Sequence, residues 1–156
     1  MRSVLISFVV LLSACQQPLP ELDPVTLPAE EQSVDIPASS LTLEGNLALP
    51  SRIEGEVVPA VVLIHGSGPN SRDSVLPGQL NMDFGGIEVA VFVDISAGLS
   101  AAGVAVLRYD KRSCTSAGGY CDNEYPTPGS DIRVSDFATD ALSAVTWLVE
   151  HEAVDP

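Results

Sequence analysis

VVLIHGSGPNSRD (61–73) decides how the rest of the chain is read. A run of β-branched and aliphatic residues, 60–64, leads straight into His65-Gly66-Ser67-Gly68-Pro69. Such a short, unbroken apolar run marks a strand buried on both faces. Gly66 and Gly68 let the backbone after it bend so that successive N–H groups converge, while Pro69 contributes none. Converging amides with no competing side chain suit an oxygen that carries negative charge. The Ser67 N–H is the first candidate donor, with Gly66 or Gly68 next. A plain strand-to-loop turn is the bland alternative. A dinucleotide loop does not fit, because G-x-G-x-x-G fails at Ser71. A phosphate loop does not fit either, because the one lysine, Lys111, does not follow such a glycine run.

Outward from this stretch the pattern is that of an α/β sheet. Residues 41–49 alternate as a strand, 50–59 read as a turn, and 66–88 as a long loop rich in Gly, Pro, Asn and Ser. A helix is expected over 91–102, ending at Gly103, then a second buried strand over 104–108. After a loop at 114–130, a helix runs from Asp136 to about Glu150. Phe137, Ala141, Ala144, Val145 and Leu148 give it one apolar face, and Asp136 or Ser135 can cap its start. Buried strands alternating with helices imply α/β architecture with crossover connections.

The chain begins MRSVLISFVVLLSAC (1–15). Arg2 precedes an apolar run, Val4 to Leu12, too short to span a bilayer as a helix but long enough for a secretory signal. Leu12-Ser13-Ala14-Cys15 resembles a bacterial lipobox, with residues 1–14 as signal and Cys15 as the lipidated residue; an ordinary signal with a chance cysteine is the alternative. Two acyl signals anchor stably where one does not. Residues 15–34, rich in proline and acids, read as a tether that cannot fold alone, which leaves 35–156 as the domain. The expected location is the bacterial envelope, at the outer membrane. In that oxidising setting, Cys114 and Cys121 are expected to form a disulfide.

The 156 residues carry 21 acidic and 7 basic side chains, a net charge of −14. Phosphate backbones repel such a chain, so nucleic acid is not an expected partner. The composition, 46% hydrophobic and 18% charged, is that of a globular domain. No metal-ligand set and no organic cofactor is implied.

Three segments together, VVLIHGSGPNSRD (61–73), GVAVLRYDKRSC (103–114) and DFATDALSAVTWL (136–148), resemble the α/β-hydrolase family. The likeness is to exported or lipid-anchored serine hydrolases related to dienelactone hydrolases and serine aminopeptidase-like lipases. It implies the N-terminal part of an α/β-hydrolase sheet with flanking helices, and a small ester or amide as substrate. It makes His65, Gly66, Ser67 and Gly68 an oxyanion loop, with His65 holding the loop instead of acting as base. It gives Tyr109, Asp110, Lys111 and Arg112 the loop beneath the site, with Asp110 and Arg112 as an ion pair or hydrogen-bond hub. Arg72 and Asp73 become loop staples. Ser113 departs from the glycine that many relatives have after this turn. His151, near the end of the last helix, is expected to be an exposed helix residue.

The family's nucleophile sits in G-x-S-x-G on a strand-to-helix elbow. The 156 residues hold no such string; Gly98-Leu99-Ser100-Ala101-Ala102 comes nearest, inside an expected helix. The expected catalytic serine, acid and base therefore lie outside this sequence. Three readings follow: part of a lipid-anchored serine hydrolase, a non-catalytic lipoprotein remnant or binding module, and a half completed by a second chain.

Overall fold

The structure is a computed structural model that describes residues 25–39, 41–66, 70–75, 89–112, 114 and 132–156. Cys15, Ser67, Gly68, Pro69, Ser113 and Cys121, and with them the signal and lipidation readings, lie outside the described residues. The strands are β1 (Thr26–Leu27), β2 (Glu30–Ala38), β3 (Leu41–Leu49), β4 (Arg52–Ile53), β5 (Ala60–Leu63) and β6 (Ala105–Tyr109). Two helices are described, α1 (Val91–Ala101), which connects β5 to β6, and α2 (Val134–Val149), which follows β6.

The main sheet has the order β2-β3-β6-β5, with β3 antiparallel to both β2 and β6 and β5 parallel to β6. β2 begins at Glu30, within the segment read above as tether, because Glu30 to Ala38 pair residue by residue with Leu49 to Leu41. Pro37 is tolerated there because β2 lies at an edge, where a missing N–H need break no ladder bond. The β2–β3 hairpin closes in two residues, and Ser39 takes the left-handed φ of 40° that so tight a turn demands. The expected turn at 50–59 holds a two-residue strand, β4, which pairs with β1. Gly55, at φ 81°, then reverses the chain.

β6 is the central strand, and all five of its residues are buried. Its alternation divides the domain into layers. Ala105, Leu107 and Tyr109 join Ile36, Leu43, Leu47 and Leu49 in one core, closed by Ala144 and Leu148 of α2. Arg108, between them in sequence, points to the other face of the sheet. Gly45 of β3 lies opposite Tyr109 in the register. A β-carbon there would stand 2.8 Å from the Arg108 carbonyl oxygen, so only glycine lets β3 and β6 approach this closely.

Three expectations need correction. β5 is not buried on both faces: Val61 is 36% and Ile64 57% exposed. Among the described residues β5 pairs along one edge only, apart from a parallel bridge between Val58, just before it, and Val154. The apolar face of α2 does not include Val145, which is 43% exposed; Asp140 is buried in its stead. The helix starts earlier than Asp136, with Arg133 at the cap position. Asp136 still supplies the capping bond, accepting the Arg133 N–H at 2.7 Å. α1 behaves as expected, and Gly103, at φ 90°, ends it.

Candidate functional site

β5 delivers His65 and Gly66 to the end of the sheet, where three elements meet. The His65 ring lies between Phe92 of α1 and Tyr109 of β6, with centroid separations of 6.4 and 6.3 Å. Burial and the Lys111 ammonium push its pKa below the ordinary imidazole value of 6.5, against the opposing pull of the Gly66 and Tyr109 carbonyls and of Asp110. His65 is therefore a neutral ring wedged among apolar and aromatic neighbours at neutral pH. Its Nε2 is buried and has no hydrogen-bond partner among the described residues.

The loop that follows is gripped from the turn after β6. Lys111 Nζ donates to the Gly66 carbonyl at 3.2 Å. Asp110 Oδ1 accepts the backbone N–H of Arg72 at 2.7 Å, and its Oδ2 lies 3.3 Å from the Arg72 guanidinium. Cys114 Sγ lies 3.5 Å from the Asn70 carbonyl. Gly66, Asn70 and Arg72 are thus each met by a residue of one short turn. That turn is itself fixed: the Asp110 N–H donates to the Glu44 carbonyl of β3 at 2.8 Å, and the Lys111 carbonyl accepts the Cys114 N–H at 2.7 Å. Burial raises the Asp110 pKa; the Arg72 amide and guanidinium pull it back down.

Charges under the loop tie it to the sheet. Arg72 reaches Glu44 of β3 at 3.1 Å. Arg108, 1% exposed in the middle of β6, pairs with Asp73 of the loop and, at 2.8 Å, with Glu31 of β2. A buried guanidinium is tolerable only with such partners. Beyond Asp73, Ser74 takes a left-handed φ of 50°. The Asp73 and Ser74 carbonyls then accept the N–H groups of Phe92 and Val91 at 3.1 and 3.2 Å. They satisfy amides that the first turn of α1 would otherwise leave unpaired. Residues 70–75 thus meet both the turn after β6 and the start of α1.

The structure brings His65, Gly66, Tyr109, Asp110 and Lys111 together. Arg112 turns away to α2, where its Nε and Nη2 bind the two carboxylate oxygens of Asp140 at 2.7 and 2.5 Å. Asp110 and Arg112 thus have separate partners, one fixing the loop and the other fixing the helix. His151 is half-buried just beyond α2, its ring 5.6 Å from Trp147 and its Nδ1 accepting the Ala153 N–H at 3.2 Å. The sequence reading passed over Arg108, Glu44 and Asp140. Two of these had a signal: an arginine inside an aliphatic strand, and an acid one helical turn before Ala144 on a buried helix face.

A depressed His65 pKa has a definite consequence for stability. Between the folded-state value and 6.5 the unfolded chain binds more protons than the folded one, so stability rises with pH there. It is complete above 6.5 and is lost as pH falls through that window. Urea melts of the protein between pH 7.5 and about 5 are expected to show this slope. His65→Gln, which cannot titrate, is expected to remove His65's share of it; an unchanged slope would mean that His65 keeps an ordinary pKa.

No family model matches the chain. Over 97 residues it is 37% identical to esterase EstD of Thermotoga maritima, a match that covers 62% of this chain and 19% of that protein. The chain therefore spans about a fifth of that relative's length. In structure it is similar to a dienelactone hydrolase from Anabaena variabilis, with a TM-score of 0.52 and 21% identity, over 82% of this chain and 50% of the other. With its mixed sheet and flanking helices, the chain has the α/β-hydrolase fold, matched over part of a member's length.

Proposed function

We propose that the loop from His65 to Gly68 is the oxyanion loop of a serine hydrolase acting on carboxylic esters or amides of small molecules. The observation that carries this reading is the hold on the loop at Gly66 and Arg72 by Lys111 and Asp110, which follow β6. A loop whose amides must stabilise charge in a transition state has to be held before the substrate arrives, since that saves reorganisation during the reaction. The match to a Thermotoga esterase supports the same chemistry.

In this reading the amides after Gly66 receive the carbonyl oxygen as it becomes negative. His65 keeps the loop seated against Phe92 and Tyr109 and, being neutral, adds no charge to compete for the oxyanion. None of the 156 residues forms a G-x-S-x-G elbow, so the attacking serine, its histidine and their acid come from polypeptide outside them. Cys15 is the lipid attachment point that holds the enzyme at the envelope membrane. The Cys114–Cys121 disulfide braces the turn that holds the loop, because the Cys114 N–H is itself bonded to the Lys111 carbonyl.

The complete gene product, purified and folded, tests the reading. It is expected to hydrolyse p-nitrophenyl butyrate and to be labelled covalently by a fluorophosphonate on a serine of a G-x-S-x-G sequence downstream of residue 156. A folded product that takes no label and turns over no ester overturns it. If label appears only when a second polypeptide is added, the nucleophile is supplied in trans.

A further inference from the structure

We infer that Arg108 and Asp73 are positioning residues for the His65 side chain, acting through the first turn of α1 and the Phe92 ring it carries. The inference rests on the hydrolase reading above, in which His65 opens the loop, and adds two residues to it. Its basis is an unbroken series of contacts. Arg108 Nη1 binds Asp73 Oδ1. The Asp73 carbonyl accepts the Phe92 N–H at 3.1 Å. The Phe92 ring then stands 6.4 Å from the His65 ring, centroid to centroid.

β6 thus reaches His65 by two routes. Tyr109 meets the ring directly, at 6.3 Å. Arg108, the residue before it, reaches Phe92, the other aromatic neighbour, through Asp73. The N–H that Asp73 accepts is one that a helix cannot satisfy within itself. The position of residue 73 therefore sets where the first turn of α1 begins, and Phe92 lies in that turn. Burial is the largest cause of the lowered His65 pKa, which makes that value a reporter of how closely its neighbours pack.

The arrangement gives a reason for an arginine inside an aliphatic strand. Arg108 is 1% exposed, and its Nε is buried without a hydrogen-bond partner among the described residues. Such a group costs stability, and well-packed apolar residues often replace a buried ion pair without loss. Stability alone therefore does not require it. A link of fixed geometry from the sheet to the loop does, because a guanidinium orients a carboxylate and an aliphatic side chain cannot. The other end of the guanidinium is held by Glu31 of β2 at 2.8 Å.

The test uses the complete gene product, with isotope-labelled histidine, and the variants Asp73→Ala, Asp73→Asn and Glu31→Gln. Alanine removes the loop partner of Arg108, asparagine keeps an acceptor without charge, and Glu31→Gln disturbs Arg108 only on the side of β2. One reading is the His65 titration by NMR, assigned by the signal lost in His65→Gln. The other is steady-state hydrolysis of p-nitrophenyl butyrate. Asp73→Ala is expected to move the His65 midpoint up towards 6.5. It is also expected to lower kcat about 10-fold, with KM changed less than about twofold. Asparagine is expected to fall between wild type and alanine in both readings. Glu31→Gln is expected to lower the melting temperature and to move neither. A merely structural pair would lower the melting temperature in all three variants and leave the His65 midpoint in place.

The inference is overturned if Asp73→Ala leaves the His65 midpoint at its wild-type value, or if the midpoint moves while kcat stays within about twofold. It is overturned equally if Glu31→Gln moves the midpoint as far as Asp73→Ala does, which would mean a general loosening. Should the alanine variant not fold, the asparagine variant decides by the same two readings. A wild-type product with no esterase activity and no fluorophosphonate label brings down the hydrolase reading itself. That result is distinct from an active wild type whose His65 does not respond to Asp73.

Discussion

Replacing Arg112 with leucine is expected to destabilise the folded protein by about 3–5 kcal/mol, the cost of breaking a buried ion pair from one side. Asp140 is 1% exposed in α2, and both of its oxygens are bound by the Arg112 guanidinium. Without that partner the buried carboxylate is left uncompensated. Asp136 is 3.9 Å from the guanidinium and more exposed, so it can return to water. The double variant Arg112→Leu/Asp140→Leu is expected to recover most of the loss, because a well-packed apolar pair often matches a buried ion pair. Urea melts of the single and double variants check both statements. Equal losses in the two would mean that the site matters for packing and not for charge.

Gly45→Val is expected to cost about 3 kcal/mol and to lower Tm by roughly 6–12 °C. A β-carbon at residue 45 meets the Arg108 carbonyl oxygen at 2.8 Å and the tips of Ile36 and Val34 at 3.3 Å. Two of these obstacles are side chains that can turn. The first is main chain of the central strand and cannot yield without moving β6. Moving β6 also disturbs Arg108, whose guanidinium ties Asp73 and Glu31 to the sheet. The variant should therefore lose stability and loosen the β5–α1 loop together. A thermal scan with Tm within about 2 °C of wild type would show that the strands can part without penalty.

Much of this architecture was legible in the residues themselves. The aliphatic runs at 60–64 and 104–108 located β5 and β6, and Gly103 ended α1 where a left-handed residue was needed. The likeness carried by 61–73, 103–114 and 136–148 led to the fold of the similar Anabaena structure. The failures have physical causes. Val61 and Ile64 look like the middle of a buried strand, but burial depends on what lies along the other edge, which no local pattern states. Val145 and Asp140 exchanged places because hydropathy ranks valine above aspartate, whereas α2 buries the side chain that has a guanidinium waiting for it. The grip on the loop was invisible for a related reason. Its contacts join residues 38 to 45 positions apart, and only the parallel pairing of β5 with β6 brings them together.

The central claim is that the turn after β6 sets the shape of the loop after β5. Hydrogen exchange at the Arg72 amide tests it most directly, because that N–H is donated to Asp110 Oδ1 at 2.7 Å within the protein and belongs to the loop itself. In the wild-type protein the Arg72 amide is expected to exchange at least about 100-fold more slowly than in an unstructured chain. In Asp110→Ala it is expected to lose most of that protection, while the amides of β3 and β6 keep theirs. Exchange at Arg72 as fast as in an unfolded peptide, or protection indifferent to the loss of Asp110, would contradict the claim.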